Sequence, residues 1–192
     1  MNRVILAVTG ASGAAIGLRI AELLAGIESV ETELVVSPAA QRTLRHELGE
    51  GSFERLHSLA ARAYDPGDIG ASLASGSYRV AGMIIAPCSM RSLAGIASGL
   101  ADNLVGRAAD VQLKERRRLV LLARETPLHL GHLRNMVAVT EMGAMVMPPV
   151  PAFYQRPETV SEIVDHLAAR AIDLLGLPGA AETKAWTGLE PL

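Results

Sequence analysis

Two adjacent charged residues, Arg124 and Glu125, stand directly after an apolar run in the second half of the chain. The run, LVLLA at residues 119–123, has the composition of a strand that is buried on both faces. A guanidinium at such a position can bind a phosphate through two parallel hydrogen bonds, and a neighbouring carboxylate can orient cations or carry a proton. The pair therefore predicts a ligand-binding edge at the end of a core strand.

A second segment able to do chemistry, GASG at residues 10–13, follows the first apolar run and opens a helical pattern. Free backbone N–H groups and the positive end of the helix dipole would favour a phosphate there, with the Ser12 hydroxyl donating to it. Alternatively, Ser12 only caps its own helix. The chain lacks G-x-G-x-x-G and G-x-S-x-G here, and no tyrosine precedes a lysine by four residues. These absences disfavour NAD binding, a hydrolase nucleophile and a short-chain dehydrogenase.

A third segment, PCSMRS at residues 87–92, also follows an apolar run. Its hydroxyls and backbone N–H groups predict a second polar ligand edge. We interpret Cys88 as a small buried residue rather than a nucleophile, because nothing in the sequence indicates a lowered thiol pKa.

Cations are enriched in the second half of the chain. Arg107 and Lys114 lie two helical turns apart on about the same face as Asp110, a pattern that favours binding of a phosphate monoester. His129 and His132 have the spacing of a helical metal site, but no third ligand is evident, so no metal is expected.

The elements that must position these segments follow from hydrophobic periodicity. Short apolar runs that alternate with helical patterns predict a doubly wound, parallel α/β sheet with helices on both faces. The strands are predicted at residues 4–8, 33–36, 83–86, 119–123 and 145–147, and the helices at 14–25, 39–48, 92–99, 102–115, 129–141 and 158–175. Ligands of such sheets bind beyond the carboxyl ends of the strands, where the three segments lie. Arg117 and Arg118 fall at the opposite end and are expected to be solvated.

The chain of 192 residues suits a single domain with an irregular tail at residues 178–192. Residues 49–76 are polar and contain a turn at 65–68, which predicts a mobile flap or an interface arm.

Composition limits the classes of partner. The net charge of -2 and the absence of a basic stripe with aromatics argue against nucleic acid, and no apolar segment is long enough for a membrane helix. A single cysteine and the lack of a secretory signal pattern predict a cytoplasmic location. An apolar content of 49% favours a homo-oligomer in which other subunits cover part of the surface.

Taken together, the motifs resemble the UbiX/Pad family of flavin prenyltransferases, formerly described as 3-octaprenyl-4-hydroxybenzoate carboxy-lyases. The resemblance covers nearly the whole chain. Its strongest parts are TGASG at 9–13, PCS at 87–89, DNL at 102–104, RAADV at 107–111, LKERR at 113–117, RETPLH at 124–129 and MPPVPAFY at 147–154.

Membership of this family implies a flavodoxin-like fold that binds FMN and transfers a dimethylallyl group to its reduced form. The implied donor is dimethylallyl monophosphate, the new bonds form at flavin N5 and C6, and the prenylated FMN goes to a UbiD-type decarboxylase. The family is typically dodecameric, with active sites at subunit interfaces and no metal requirement.

The resemblance also assigns roles to numbered positions. It implies FMN contacts at Gly10, Ala11, Ser12, Ser37, Ser89, Met90, Arg91, Ser92 and Arg124, and contacts to the dimethylallyl phosphate at Arg107, Lys114, Glu125, Tyr154, Arg170 and Trp186. The residues expected to be catalytic are Ser12, Glu47, Lys114, Glu125 and Tyr154, with Glu47 and Ser12 handling protons during ring closure.

Each residue type suits its implied role. Departure of phosphate leaves positive charge on the allylic carbon, which an aromatic face such as Tyr154 or Trp186 can stabilise. Lys114, Arg107 and Arg170 would bind the leaving dianion, while Glu125 orients these cations or relays a proton.

The sequence departs from the family pattern at two places, and two alternative functions stay open. Pro38 replaces a lysine common in the family, and residues 90–92 are a variable form of their segment. The alternatives are an FMN-dependent cysteine decarboxylase of the same superfamily and a non-catalytic FMN-binding accessory subunit. The sequence does not separate a monophosphate from a pyrophosphate donor, nor name the substrate of the downstream decarboxylase.

Overall fold

The computed structural model describes residues 1–178 and Gly188, and the structural statements below concern these residues. They form a six-stranded parallel sheet in the order β3-β2-β1-β4-β5-β6. The strands are β1 (Asn2–Val8), β2 (Val30–Val36), β3 (Arg62–Tyr64), β4 (Gly82–Cys88), β5 (Arg118–Ala123) and β6 (Met145–Val146).

All five predicted strands are confirmed, and β3 is an additional one at the sheet edge. Leaving out this short strand, the remaining five run in the order 2-1-3-4-5, which is the flavodoxin-like order. The sequence of β3 could not be recognised as a strand, because β3 is only three residues long and none of these residues is fully buried.

Helices cover both faces of the sheet, as predicted. They are α1 (Ala14–Ala25), α2 (Pro38–Leu48), α3 (Ser52–Ser58), α4 (Met90–Ala97), α5 (Leu104–Lys114), α6 (Leu130–Glu141) and α7 (Val160–Asp173). The core residues of α1, α2 and α7 form one apolar cluster, and those of α4, α5 and α6 form the other.

Alternation along each strand divides the core between these two layers. Leu6 of β1 and Ile84 of β4 point into the α1 layer, whereas Ile5 and Met83 point into the α5 layer. Because both sets are apolar, the central strands are near-continuous hydrophobic runs, as parallel sheets require. Gly17 allows α1 to lie against β4, since a Cβ at this position would collide with the Ala86 carbonyl oxygen.

Residues 49–76, predicted as a mobile flap or an interface arm, contain regular elements that the sequence did not predict. They contain α3, β3 and a 3₁₀ turn at Ser72–Ala74. A buried carboxylate holds this segment on the sheet: Glu33 of β2 accepts hydrogen bonds from the hydroxyl groups of Tyr64 and Tyr78, the latter at 2.8 Å. The Tyr64 hydroxyl also lies 2.9 Å from the Ser72 hydroxyl. Polar side chains in a segment that suggested a loop therefore point inward and share the Glu33 carboxylate as their hydrogen-bond acceptor.

Arg117 and Arg118 also differ from expectation, because they are not simply solvated. Arg117 donates to the carbonyl oxygens of Gly76 at 2.6 Å and Tyr78 at 2.9 Å, and Arg118 donates to the Leu174 carbonyl oxygen at 2.9 Å. These bonds tie chain segments together at the amino-terminal edge of the sheet.

The tyrosine–glutamate cluster predicts a loss of stability at alkaline pH. Burial, followed by the hydrogen bond to Glu33, raises the pKa of Tyr64 and, in the same way, the pKa of Tyr78. Since the fold favours the neutral phenols, this stabilisation is complete below the ordinary tyrosine pKa of about 10 and is lost as the pH rises above it.

We therefore expect Tyr64→Phe to lower the free energy of unfolding by about 1–3 kcal/mol at neutral pH, because Glu33 loses a donor. The decline in stability above about pH 10 should also become shallower, since one titrating phenol is gone. Urea unfolding across this pH range measures both effects. An unfolding free energy and a pH slope equal to those of the wild type would show that the cluster does not stabilise the fold.

Candidate functional site

A cavity of about 770 Å³ lies at the carboxyl edge of the sheet, and we call it the edge cavity. It lies beyond the ends of β1 and β4, which carry Thr9 and Ser89 in its lining. The chain passes from β1 to α1 on one face and from β4 to α4 on the other. The edge cavity therefore occupies the topological switch point, where ligands of doubly wound sheets bind.

The N-termini of three helices line the edge cavity. Each is capped by its own side chain: the Ser37 hydroxyl accepts from Ala40 N–H at 3.2 Å, the Ser89 hydroxyl accepts from Ser92 N–H at 3.2 Å, and the Asn103 carboxamide accepts from Gly106 N–H at 3.1 Å. The positive ends of the α2, α4 and α5 dipoles thus converge on one space, which favours an anionic ligand.

Two arginines strengthen this field. Arg42 of α2 and Arg91 of α4 line the edge cavity, and both are exposed. Arg91 lies 3.6 Å from the Asp102 carboxylate, but its side chain is 87% exposed, so this ion pair is weak. Both guanidinium groups can therefore turn towards a phosphate.

The start of α4 is held in place through β1. The Thr9 hydroxyl donates to the Pro87 carbonyl oxygen at 2.8 Å and accepts from Ser89 N–H at 2.8 Å. The Ser89 and Ser92 hydroxyls lie 3.1 Å apart, both in the lining of the edge cavity. These contacts fix two hydroxyls and the first turn of a helix, whose backbone N–H groups have no intrahelical partners.

The start of α1 is different, because the protein supplies its own anion. One oxygen of the Glu47 carboxylate accepts from the backbone N–H groups of Gly13 at 3.0 Å and Ala14 at 2.8 Å. A carboxylate of the protein therefore binds amides at the helix start where a phosphate was predicted, and Gly13 rather than Ser12 occupies the capping position. Ser12 is left exposed next to the carboxylate-bound amides, which brings Glu47 and the Ser12 segment together.

Arg124 and Glu125 follow β5 as predicted, next to the end of β4. Arg124 N–H donates to the Cys88 carbonyl oxygen at 3.1 Å, while a Glu125 carboxylate oxygen accepts from Thr126 N–H at 3.0 Å. Both residues are exposed, and neither lines the edge cavity of the single chain. Cys88 is buried, as expected, and this burial raises the pKa of its thiol to about 12.

Tyr154 and Arg170 share one surface at α7. The Tyr154 ring contacts His166 edge to face at 6.4 Å between centroids, and Arg170 is one helical turn beyond His166. Tyr154 is 54% exposed, and Arg170 lies 3.9 Å from Asp173. The Tyr154 ring and the Arg170 guanidinium therefore belong to one surface of the protein. Both residues are far from Arg124 in the sequence.

Arg107 and Lys114 lie on the opposite face of the sheet, on α5. Arg107 pairs with Asp110 at 2.6 Å, whereas Lys114 pairs with Glu115. Lys114 is at the far end of α5, beside Gly76 at the amino-terminal edge of the sheet. With about 1.5 Å of rise per residue, it is about 15 Å along the helix from the edge cavity. Trp186 lies outside the described residues.

Comparisons with known proteins agree with this geometry. The family described as Flavoprotein matches residues 1–172. The flavin prenyltransferase UbiX of Thauera aromatica is 50% identical over 98% of this chain and 95% of its own length. The chain belongs to the UbiX flavin prenyltransferase family. This confirms the predicted family, its flavoprotein character and the enzyme class.

Solved structures of UbiX proteins have the same fold. The crystal structure of AnUbiX (PadA1) in complex with FMN and dimethylallyl pyrophosphate aligns with a TM-score of 0.92 at 44% identity, covering 98% of this chain and 99% of that one. A dodecameric FMN-dependent UbiX-like decarboxylase from Escherichia coli O157:H7 aligns at 0.91 and 48% identity, covering 97% and 100%. Both neighbours support the FMN prediction for this UbiX family member.

Sequence reasoning missed several residues that line the edge cavity. Asn103 could have been found as a polar residue before a helical pattern, since asparagine is a preferred N-cap. Arg42 gave no signal, because its place in the lining depends on how α2 is oriented on the sheet.

Gly10 gives a test of how closely the cavity wall must pack. A Cβ at Gly10 would lie 2.5 Å from the Ala39 Cβ, so Gly10→Ala would push the end of β1 away from α2. We expect a loss of about 1–3 kcal/mol in unfolding free energy. FMN affinity, measured by flavin fluorescence titration, should fall by about tenfold because the wall moves.

Gly26→Ala is the matched control, because a Cβ there meets the nearest atom at an ordinary 3.4 Å. It should leave FMN affinity unchanged. Equal FMN affinities for the two variants would mean that the Gly10 contact does not shape the flavin site.

Proposed function

We propose that this UbiX family member joins the dimethylallyl group of dimethylallyl monophosphate to N5 and C6 of reduced FMN and passes the prenylated flavin to a UbiD-type decarboxylase. The observation that carries the proposal is the edge cavity, where three helix N-termini, two arginines and the serines of α4 form an anion site at the switch point. Reduced FMN would supply the two nucleophilic positions when bound.

The residues present fit FMN. The start of α4 offers backbone N–H groups and the hydroxyls of Ser89 and Ser92 to a phosphate, while Arg91 adds charge at the rim. Gly10 and Ser37 also line the cavity, and the absence of a side chain at Gly10 lets the end of β1 lie against Ala39 of α2. Arg124 stands at the end of the neighbouring strand, from which its guanidinium can reach towards the flavin.

The second substrate needs a different set of groups. Tyr154 presents an exposed aromatic face that would stabilise positive charge on the allylic carbon as its bond to phosphate breaks. Arg170, on the same surface, would bind the leaving phosphate together with Arg107 and Lys114. Glu125 would orient these cations or return a proton to the phosphate, which requires it to be free to move from Thr126.

Closing the new ring at C6 releases a proton that the protein must accept. Glu47 is the carboxylate nearest to the Ser12 segment, held there by two backbone N–H groups. We assign the proton transfer to Ser12 and Glu47 on this arrangement, because Ser12 is exposed beside the amides that bind the Glu47 carboxylate.

One chain does not place all the phosphate-binding cations together, which supports a site completed by another subunit. Lys114 is on the α5 face at the amino-terminal edge, whereas Arg170 is on α7 behind the other face. Exposed apolar side chains on α6, at Leu130, Leu133 and Val137, are typical of subunit contacts. We therefore propose a homo-oligomer, and the dodecamer of the E. coli relative supports that assembly.

The accessory-subunit hypothesis has a specific observation in its favour, since the edge cavity alone would bind FMN without any of the phosphate cations. The cysteine-decarboxylase hypothesis is disfavoured because Tyr154, Arg170 and Glu125 would have no use there. An assay of the prenylated product separates these alternatives.

We expect anaerobically reduced FMN and dimethylallyl monophosphate to yield a prenylated flavin, detected by mass, with inorganic phosphate released in equal amount. Glu125→Gln should lower this rate by about a hundredfold or more, because it removes the acid–base group. Glu141→Gln, an exposed glutamate at the end of α6, is the control and should retain wild-type activity.

Flavin binding without adduct formation in the wild type, and a Glu125→Gln protein indistinguishable from it, would favour the accessory subunit. Using dimethylallyl pyrophosphate in a parallel reaction decides between the two donors.

A mixed oligomer tests whether Lys114 and Arg170 reach one site from different subunits. Lys114→Ala and Arg170→Ala proteins should each be inactive, whereas oligomers formed from equal amounts of both should regain activity. Random mixing leaves both side chains intact in about a quarter of such shared sites, so about a quarter of wild-type activity is expected. If both residues came from the same subunit, every site would lack one of them and mixing would restore nothing.

A further inference from the structure

His129 occupies the capping position of α6, where serine, threonine, asparagine or aspartate is usual. Its Nδ1 atom accepts from the backbone N–H groups of Gly131 at 3.0 Å and His132 at 3.3 Å. An imidazole can accept there only when Nδ1 carries no proton, which places the ring proton on Nε2. The ring therefore satisfies two of the backbone donors that a helix start leaves free.

The surrounding residues are shaped to hold this ring. A Cβ at Gly131 would lie 2.9 Å from His129 Cε1 and 3.1 Å from Nδ1, so a side chain at that position would displace the imidazole. The His132 ring stacks on His129 with centroids 3.5 Å apart and planes inclined by 28°. A missing side chain on one side and a stacked ring on the other fix the orientation of the cap.

The His129 cap lies directly after the turn at residues 124–128, which we call the β5–α6 turn. Its residues are exposed, so few packing contacts hold them. The first end is anchored by the bond from Arg124 N–H to the Cys88 carbonyl oxygen at 3.1 Å. The second end is anchored by His129. Within the turn, the Glu125 carboxylate accepts only from the adjacent Thr126 N–H at 3.0 Å.

We propose that His129 is a positioning residue: its imidazole, stacked on His132 and fitted against Gly131, anchors the β5–α6 turn so that Arg124 and Glu125 face the flavin and the allylic phosphate. This inference deepens the proposed function and rests on it for the roles of Arg124 and Glu125. His129 itself is not assigned a contact with either substrate. It acts through the turn.

The chain offers a conservative replacement. The side-chain oxygen of asparagine is attached to Cγ, as Nδ1 is in histidine, and asparagine is a favoured cap. His129→Asn should therefore keep the two hydrogen bonds, whereas His129→Ala loses them. Thr159→Ala is the matched control, because the Thr159 hydroxyl caps α7 by accepting from Glu162 N–H at 3.2 Å, away from the β5–α6 turn.

Two measurements on the full-length protein test the proposal. Hydrogen exchange, followed by mass on the peptide covering residues 124–133, reports the cap itself. We expect exchange roughly fivefold faster in His129→Ala and unchanged in His129→Asn and Thr159→Ala. The prenylation rate should fall by roughly ten- to hundredfold in kcat for His129→Ala and recover in His129→Asn, because the misplaced turn no longer holds Glu125 against the phosphate.

The outcomes distinguish failure of the His129 proposal from failure of the proposed function. Faster exchange with an unchanged kcat in His129→Ala would overturn the proposal, as would a His129→Asn variant that restores slow exchange but not kcat. Unchanged exchange in His129→Ala would also overturn it, since the turn would not depend on the cap. A wild-type protein that binds FMN but makes no adduct would instead refute the proposed function, and the exchange result would still show whether His129 anchors the turn.

Discussion

The parallel direction of the strands is the constraint on which the site depends. Parallel strands end at one edge of the sheet, so the helices that follow them begin at that edge with their dipoles pointing the same way. Here the starts of α2 and α4, which follow β2 and β4, surround one cavity together with the start of α5, which follows α4; the cavity lies beyond the ends of β1 and β4. Affinity for an anion is thus a consequence of topology before any charged side chain is considered.

The start of α1 carries the same positive field, but there a side chain of the protein supplies the anion. Glu47 fills the position that a phosphate would otherwise take, with its carboxylate on the backbone N–H groups of Gly13 and Ala14. Backbone N–H groups at this helix start are therefore already paired within the protein, and the Glu47 carboxylate lies beside the Ser12 segment. A carboxylate that serves as a helix cap is also oriented by it, since two N–H donors restrict its rotation.

The two layers around the sheet separate the cations that we propose bind the substrate phosphate. Because α5 and α7 cover opposite faces, Lys114 and Arg170 cannot meet around a substrate within one chain. Anchors at the amino-terminal edge, such as Arg117 on the Gly76 and Tyr78 carbonyl oxygens and the Glu33 cluster, keep the scaffold rigid there. The β5–α6 turn at the other edge is exposed and carries Arg124 and Glu125.

The sequence by itself determined five of the six strands and six of the seven α-helices in the described residues, because apolar periodicity and local capping are properties of neighbouring residues. It also determined the family, since motifs such as residues 124–129 and 147–154 occur in a fixed order. Only the tertiary structure decided that Glu47 caps α1, that residues 62–78 are pinned by Glu33, and that Arg42 lines the edge cavity. Each of these contacts joins residues that are distant in the chain or depends on the rotation of a helix on the sheet, and no local pattern encodes such a contact.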